Sequence, residues 1–252
     1  MNFLRSLIFT LLLVIATVIW TPVVILASVL PYNLHYRLTA CWNWFVVGCA
    51  KYICGINYVV KGAENYPDGP AIVLSKHQSA WETIFLLAAS PRPLVFVFKK
   101  EIQYIPFFGW AITMLRMIPI DRSKGKDAFA QVLHHGKKRL ADGQWIIMFP
   151  EGTRIPVGQK GNYKGGGARL AVETQTPVVP IALNSGECWP KNSFSKRPGT
   201  ITVSVGKPIS SEGKTGFELM AEVEAWIEGE MRVISPQAYN STSASDKQQE
   251  AA

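Results

Sequence analysis

Two side chains between residues 74 and 83 have the types and the spacing that suit acid–base chemistry. His77 directly follows a predicted buried strand, and Glu82 comes five residues later, just inside the next predicted helix. An imidazole in the loop before a helix, with a carboxylate in the first turn, can work as a general base and the acid that orients it. Ser79 and Glu82 also form the S-x-x-E pattern of a capping box, in which Glu82 only binds backbone amides. The residues by themselves leave both interpretations open.

Further polar residues follow two other predicted strands. Arg122 ends one strand, and the run 149–154 (FPEGTR) ends another. In that run Gly152 lets the backbone approach a ligand, Thr153 offers a hydroxyl, and Arg154 offers a planar fork that matches phosphate oxygens. An ordinary turn after a strand is the alternative. Because ligands gather at the carboxyl ends of the strands in α/β sheets, we expect one site there, shared with the histidine.

The sequence motifs of several other enzyme classes are absent. The sequence contains no G-x-S-x-G, no Walker A motif, no G-x-G-x-x-G and no H-E-x-x-H. None of its four cysteines forms a C-x-x-C pair, which argues against a zinc site or a disulfide framework. We therefore expect free thiols, no metal, and a base that acts directly on a substrate hydroxyl.

The composition indicates an anionic partner. Charged residues make up 17% of the chain, against roughly 25% in typical soluble domains, and the formal net charge is +8. Nucleic acid, a phosphorylated metabolite and an anionic membrane surface all fit this charge, as does a simple surplus of solvated lysines.

The N-terminal quarter has the character of a membrane segment. Residues 6–30 carry no charge, and as a helix they would be about 37 Å long, enough to cross a hydrocarbon core of about 30 Å. The run is too long for the core of a signal peptide, and Pro22 predicts a kink or a break within it. Residues 32–55 mix aromatic and basic side chains, as at a headgroup interface. A spanning helix and a hairpin within one leaflet both remain open, and such an anchor counts against nucleic-acid binding.

The rest of the chain alternates strands and helices. This pattern predicts a single α/β domain at residues 56–236, with a mostly buried mixed sheet flanked by helices, after N-terminal membrane-anchoring helices at 1–55. A last helix should begin near Thr215, where Thr215 and Glu218 have the spacing of a capping box. Residues 237–252 are polar and low in complexity, which predicts a disordered tail.

Taken in order, these motifs resemble those of the bacterial glycerolipid acyltransferases, specifically the lysophosphatidic acid acyltransferases. The resemblance covers about residues 55–210 and rests on five segments of the sequence: 77–82, 100–109, 119–122, 149–154 and 178–181.

The resemblance implies a role for residues in each of these segments. His77 would deprotonate the acceptor hydroxyl for attack on an acyl thioester, and Glu82 would orient it; Glu82 departs from the family's usual Asp, which puts the fine geometry in question. Pro180 would bind the acyl donor or shape the site. The residues implied for binding the substrate phosphate are Lys100, Arg122, Glu151, Gly152, Thr153 and Arg154.

The reaction implied by the resemblance is acyl transfer to the sn-2 hydroxyl of 1-acyl-sn-glycerol 3-phosphate, which gives phosphatidic acid. The co-substrate would be acyl-CoA or acyl carrier protein, with no cofactor and no nucleic acid. The enzyme would sit on the bacterial inner membrane with its catalytic domain facing the cytoplasm. The alternatives are another acceptor (glycerol 3-phosphate or a lyso-aminolipid) and a non-catalytic membrane protein that binds anionic lipid.

Overall fold

The computed structural model of the chain describes residues 1–121, 123 and 125–239. Its α-helices are α1 (Asn2–Leu26), α2 (Tyr32–Cys54), α3 (Trp81–Ala89), α4 (Phe108–Met114), α5 (Lys126–Ala141), α6 (Gly166–Thr174), α7 (Ser185–Cys188) and α8 (Gly216–Ile234). Its strands are β1 (Ile56–Lys61), β2 (Ile72–Ser75), β3 (Leu94–Lys99), β4 (Ile118–Ile120), β5 (Trp145–Met148), β6 (Val178–Leu183) and β7 (Gly199–Val205). Short 3₁₀ turns lie at Ala27–Val29, Ala63–Asn65 and Lys100–Tyr104.

The described strands form one sheet in the order β1-β7-β6-β2-β5-β3-β4. Every neighbouring pair is parallel except β6 and β7, so β1 and β7 run against the other strands. This arrangement confirms the predicted mixed α/β sheet flanked by helices. The central strands β2 and β6 are buried at every position, as continuously apolar strands covered on both faces should be.

The pairing of β2 with β5 decides where the site forms. The two strands are parallel neighbours, with Leu74 opposite Met148. Their carboxyl ends therefore lie side by side, and the loops that leave them, which begin at Lys76 and Phe149, must run next to each other. Residues that are more than 70 positions apart in the sequence thereby become neighbours.

The two N-terminal helices pack against each other as an antiparallel pair. Helix α1 continues through Pro22, so the predicted break is absent, and the proline ring removes a single backbone hydrogen bond. A 3₁₀ turn and Pro31 connect α1 to α2, and the indole N–H of Trp20 donates to the carbonyl of Leu38 at 3.1 Å. In the described part of the chain, one helical segment, Asn2–Val29, is long and apolar enough to cross a membrane.

Helix α1 also docks on the α/β domain near its N-terminus. Phe9 packs edge-on against Trp189 with ring centroids 5.2 Å apart, and the hydroxyl of Ser6 accepts the backbone N–H of Lys196 at 2.8 Å. The opposite side of the helix is an exposed apolar stripe along its length, comprising Leu4, Ile8, Leu11, Ile15, Val18 and Ile19.

The C-terminal helix α8 begins as predicted. The Thr215 hydroxyl accepts the backbone N–H of Glu218, whose carboxylate in turn accepts the backbone N–H of Thr215, so the capping box is complete. Residues 236–239 are also helical, and Tyr239 is buried. The packed chain thus extends to Tyr239, beyond the predicted start of the tail at 237, while residues 240–252 lie outside the described residues.

Candidate active site

His77 lies in the loop between β2 and α3 and lines a large cavity. Its Nδ1 is 2.9 Å from Oε1 of Glu82, and 17% of its side chain is exposed. A carboxylate can only accept from the ring, so Nδ1 carries the proton and the lone pair of the neutral imidazole is on Nε2. The geometry matches the predicted arrangement, in which a carboxylate orients the imidazole ring.

Glu82 is fully buried in the first turn of α3, and both of its oxygens are occupied. Oε1 accepts from Nδ1 of His77 and also from the backbone N–H groups of Gln78 and Ser79, at 2.8 and 2.7 Å. Oε2 accepts the hydroxyl of Ser185 at 2.6 Å. A single oxygen therefore binds both the loop backbone and the imidazole, and the two interpretations of the S-x-x-E pattern are not exclusive.

The helix itself begins slightly later than the capping-box pattern indicates. Helix α3 starts at Trp81, with Ala80 as its N-cap, and the Ser79 hydroxyl accepts the backbone N–H of Trp81 at 3.1 Å. The Ser79 side chain thus tightens the turn before the helix, without accepting from the N–H of Glu82 as a complete capping box requires.

The loop after β5 holds His77 at three points. The Phe149 ring stacks on the imidazole, with centroids 3.9 Å apart and planes 19° apart. Oε2 of Glu151 accepts the backbone N–H of His77 at 2.9 Å, and the backbone N–H of Ile155 donates to the carbonyl of His77 at 2.7 Å. The segment that was predicted to bind the substrate thus also fixes the position of His77.

Three of the predicted phosphate-binding residues line the same cavity as His77: Gly152, Thr153 and Arg154. Gly152 has a φ of 66°, a left-handed conformation that favours glycine. No carboxylate of the described residues lies within 4.0 Å of the Arg154 guanidinium. Its charge is therefore available to an anion in the cavity.

Lys164 is a cavity residue that sequence reasoning did not select. Its Nζ lies 3.1 Å from the point where a β-carbon on Gly152 would stand, so its ammonium approaches the Gly152 backbone. In the sequence it belongs to a glycine-rich basic loop that by itself indicates no particular function. Its place in the cavity wall and its approach to Gly152 assign it to the site.

Among the described residues, the predicted site residues Lys100 and Pro180 do not line this cavity. Lys100 begins a 3₁₀ turn, and its neighbour Lys99 lines the cavity instead, with its ammonium 3.2 Å from Glu101. Pro180 is buried in β6, in register with Leu74, and its carbonyl accepts the backbone N–H of Gly206 at 2.9 Å. Its predicted role in binding the acyl donor or in shaping the site stays a prediction. Arg122 lies outside the described residues.

Glu151 is placed differently from the prediction. Its side chain is buried, its Oε1 accepts from Nζ of Lys76 at 2.6 Å, and its Oε2 accepts the backbone N–H of His77. A carboxylate would repel a phosphate, and here it turns into the protein. Glu151 is therefore a support of His77 rather than a phosphate contact.

Lys76 is a second residue whose role the sequence did not indicate. It is fully buried, and its ammonium contacts Glu151 and, at 2.8 Å, Glu228 of α8. Removing one partner of such a buried ionic group costs about 3–5 kcal/mol, because a charge remains without compensation. No local pattern signals this contact, since the partners are 75 and 152 residues away.

The cavity has a volume of about 1100 Å³. Its walls come from the N-terminal helix pair as well as from the α/β domain, and they are largely apolar. The apolar members include Leu13, Trp20, Trp42, Ile84, Phe98 and Ile112. A cavity that joins apolar walls to a histidine–carboxylate pair and to cations suits an anionic amphiphile.

Comparison with known proteins gives a consistent result. The family model described as Acyltransferase matches residues 57–184, a segment that contains His77, Glu82 and the loop after β5. The 1-acyl-sn-glycerol-3-phosphate acyltransferase of Pseudomonas aeruginosa is 44% identical over 239 residues, which cover 92% of each chain. The protein of the same name from Limnanthes douglasii is 31% identical over 205 residues, which cover 81% of this chain and 72% of that one.

The fold is shared with a solved structure, that of the 1-acyl-sn-glycerophosphate (LPA) acyltransferase PlsC from Thermotoga maritima. The TM-score is 0.76 at 24% sequence identity, and the match covers 92% of this chain and 97% of that one. These matches confirm the resemblance that the sequence motifs indicated, and the chain belongs to the acyltransferase family of enzymes.

Proposed function

We propose that this enzyme transfers a fatty acyl group to the sn-2 hydroxyl of 1-acyl-sn-glycerol 3-phosphate and so forms phosphatidic acid. The donor is an acyl thioester, acyl-CoA or acyl carrier protein. The names of its relatives support the acceptor. The observation that carries the chemistry is the bond between His77 Nδ1 and the buried Glu82 at the wall of an apolar cavity that also holds Arg154.

His77 acts as the general base. Its Nε2 takes the proton of the acceptor hydroxyl as the hydroxyl oxygen bonds to the thioester carbonyl carbon. The carbon–sulfur bond then breaks, and the leaving thiolate takes the proton back from the imidazolium. Glu82 holds the ring in the tautomer with a free Nε2 and stabilises its protonated form. No acyl–enzyme intermediate is needed.

The cations and the apolar walls of the cavity bind different parts of the substrate. Arg154 binds the acceptor phosphate with its bidentate fork, and Lys164 adds a point charge beside the Gly152 backbone. Thr153 offers a hydroxyl to the same anion. The acyl chains occupy the apolar part of the cavity, where their burial is favourable by about 25 cal/mol per Å².

The N-terminal helix pair places the site at the membrane. Near its N-terminus α1 contacts the α/β domain through Phe9, and further along Thr17 and Thr21 line the active-site cavity. Because the protein covers one side of α1 and leaves an apolar stripe on the other, α1 lies in one leaflet of the bacterial inner membrane rather than crossing it. The catalytic domain faces the cytoplasm.

The proposed reaction is tested with one labelled acyl thioester and a panel of acceptors: 1-acylglycerol 3-phosphate, glycerol 3-phosphate and a lyso-aminolipid. We expect turnover with 1-acylglycerol 3-phosphate, and we expect His77→Ala to lower kcat by about 10²- to 10⁴-fold, because the general base is lost. His134→Ala, on an exposed position of α5, is the matched control and should retain the parent rate. Unchanged turnover of His77→Ala would exclude the base, and preference for another acceptor would exclude the substrate.

Replacement of Glu82 separates catalysis from helix capping. In Glu82→Gln an amide NH₂ takes the place of one oxygen and faces a donor, so we expect a fall in kcat of about 10²- to 10⁴-fold. Glu82→Asp shortens the reach by one methylene and should cost about tenfold. Glu218→Gln, which changes the capping carboxylate of α8, should leave kcat intact. Mild and equal losses in both Glu82 variants would indicate a capping role alone.

The phosphate contact is tested by Arg154→Lys. A point charge replaces the bidentate fork, so we expect the KM for the phosphorylated acceptor to rise about tenfold while the KM for the donor stays the same. A fall in kcat instead would show that the contact tightens in the transition state. Arg169→Lys, at an exposed position of α6, serves as the control. If neither kcat nor KM changes, Arg154 does not bind the substrate.

The position of α1 is tested by labelling intact cells with a membrane-impermeant maleimide, after the four native cysteines are replaced. Asn2→Cys and Val29→Cys mark the two ends of the apolar segment. We expect neither to react from the periplasmic side, and Asn2→Cys to react once the cells are permeabilised. Labelling of either position in intact cells would show that the segment crosses the bilayer.

A further inference from the structure

A buried polar cluster lies behind His77, and the reaction described above does not use it. It consists of Lys76, Glu151, Glu228 and Tyr163, and is called the Lys76 cluster below. Lys76 is fully buried, and less than a tenth of either glutamate is exposed. We propose that Lys76 is a positioning residue that acts through Glu151 to fix the backbone of His77. The inference rests on the proposed role of His77 as the base.

The ammonium of Lys76 has three N–H donors, and each has an acceptor in a different segment. Nζ is 2.6 Å from Oε1 of Glu151, 2.8 Å from Oε1 of Glu228 and 3.2 Å from the carbonyl of Gln159. The rings of Tyr163 and Tyr239 flank it, each with its centroid 5.9 Å away. This lysine is therefore held rigidly, and what it binds is held with it.

Glu151 connects this anchor to the active site. Its Oε1 accepts from Lys76 and, at 3.2 Å, from the backbone N–H of Gly161, while its Oε2 accepts the backbone N–H of His77. The carboxylate thus bridges the ammonium and the peptide group of the base. Glu228 pairs with the same ammonium. Its carboxylate also accepts from the Tyr163 hydroxyl, and its backbone carbonyl accepts from Arg232.

The positive charge keeps Glu151 able to accept at both oxygens. Burial raises the pKa of the Glu151 carboxyl, and the adjacent Lys76 acts in the opposite direction. Without the ammonium, a protonated Glu151 would carry a hydrogen on one oxygen and could no longer accept at both. A carboxylate also forms stronger hydrogen bonds than a neutral acid, so the lysine strengthens the hold on the His77 N–H.

The His77 peptide is then fixed on both sides, since Glu151 binds its N–H and the backbone N–H of Ile155 binds its carbonyl. These bonds direct the imidazole between Glu82 and the cavity. If the N–H is released, the peptide can rotate and displace Nε2 from the acceptor hydroxyl. A displacement of about 1 Å can cost about 100-fold in rate without weakening substrate binding.

The test is a double-mutant cycle with Lys76→Met and Glu151→Gln in the full-length enzyme, with kcat, both KM values and the melting temperature measured for each variant. We expect each single variant to lower kcat by about 10- to 100-fold, with both KM values within about threefold of the parent. Because Lys76 acts through Glu151, we expect Lys76→Met to cost less than about threefold in kcat when Glu151 is already replaced.

Glu228→Gln is the matched control. It removes one charge from the same ammonium at similar burial but does not contact His77. We expect it to lower the melting temperature and to leave kcat within about threefold of the parent. If Lys76→Met does not fold, the comparison of kcat between Glu151→Gln and Glu228→Gln still tests the inference, because both variants keep the lysine.

Several outcomes would overturn the inference. Additive losses in the cycle would show that Lys76 does not act through Glu151, and equal kcat values for Glu151→Gln and Glu228→Gln would indicate stability alone. A rise in the acceptor KM at unchanged kcat for Glu151→Gln would assign it to substrate binding. Failure of the parent to acylate 1-acylglycerol 3-phosphate, or full activity of His77→Ala, would instead refute the proposed function.

Discussion

The carboxylate of Glu82 has no contact with solvent, and the geometry of the site follows from the need to satisfy it. A buried carboxylate is costly unless hydrogen-bond donors surround it. Here the donors come from the His77 ring, two backbone amides of the preceding loop and the hydroxyl of Ser185 after β6. Two strand ends and the start of a helix must meet at one point to supply them. The orientation of His77 is thus set by the folding of the sheet.

Two environments meet at His77. Behind it is a fully buried polar layer, in which Lys76 and Glu151 have their hydrogen-bonding groups matched. In front of it is a cavity with largely apolar walls and a few cations. The polar layer holds the backbone of His77, and the largely apolar cavity suits the lipid substrate of the proposed reaction. The Phe149 ring, stacked on the imidazole, stands at the boundary between the two.

The membrane segment and the catalytic domain form one structure. Residues of α1 and α2 contribute walls to the cavity that contains His77, so the two N-terminal helices also complete the site. Trp20 and Phe9 tie α1 to α2 and to the α/β domain, respectively. The approach to His77 is therefore through a cavity whose walls are largely apolar.

The sequence by itself determined the α/β class and the apolar N-terminal segment, and it selected His77, Glu82 and the loop that carries Arg154 as candidates for the site. Each of these is encoded locally, in the period of apolar residues or in a motif a few residues long. It did not indicate that Lys76, Ser185 and Lys164 belong to the site. It also did not indicate that Glu151 points away from the predicted phosphate-binding residues. Those assignments arise where parallel pairing brings together strand ends from distant parts of the chain, and the burial that makes each contact strong exists only after folding.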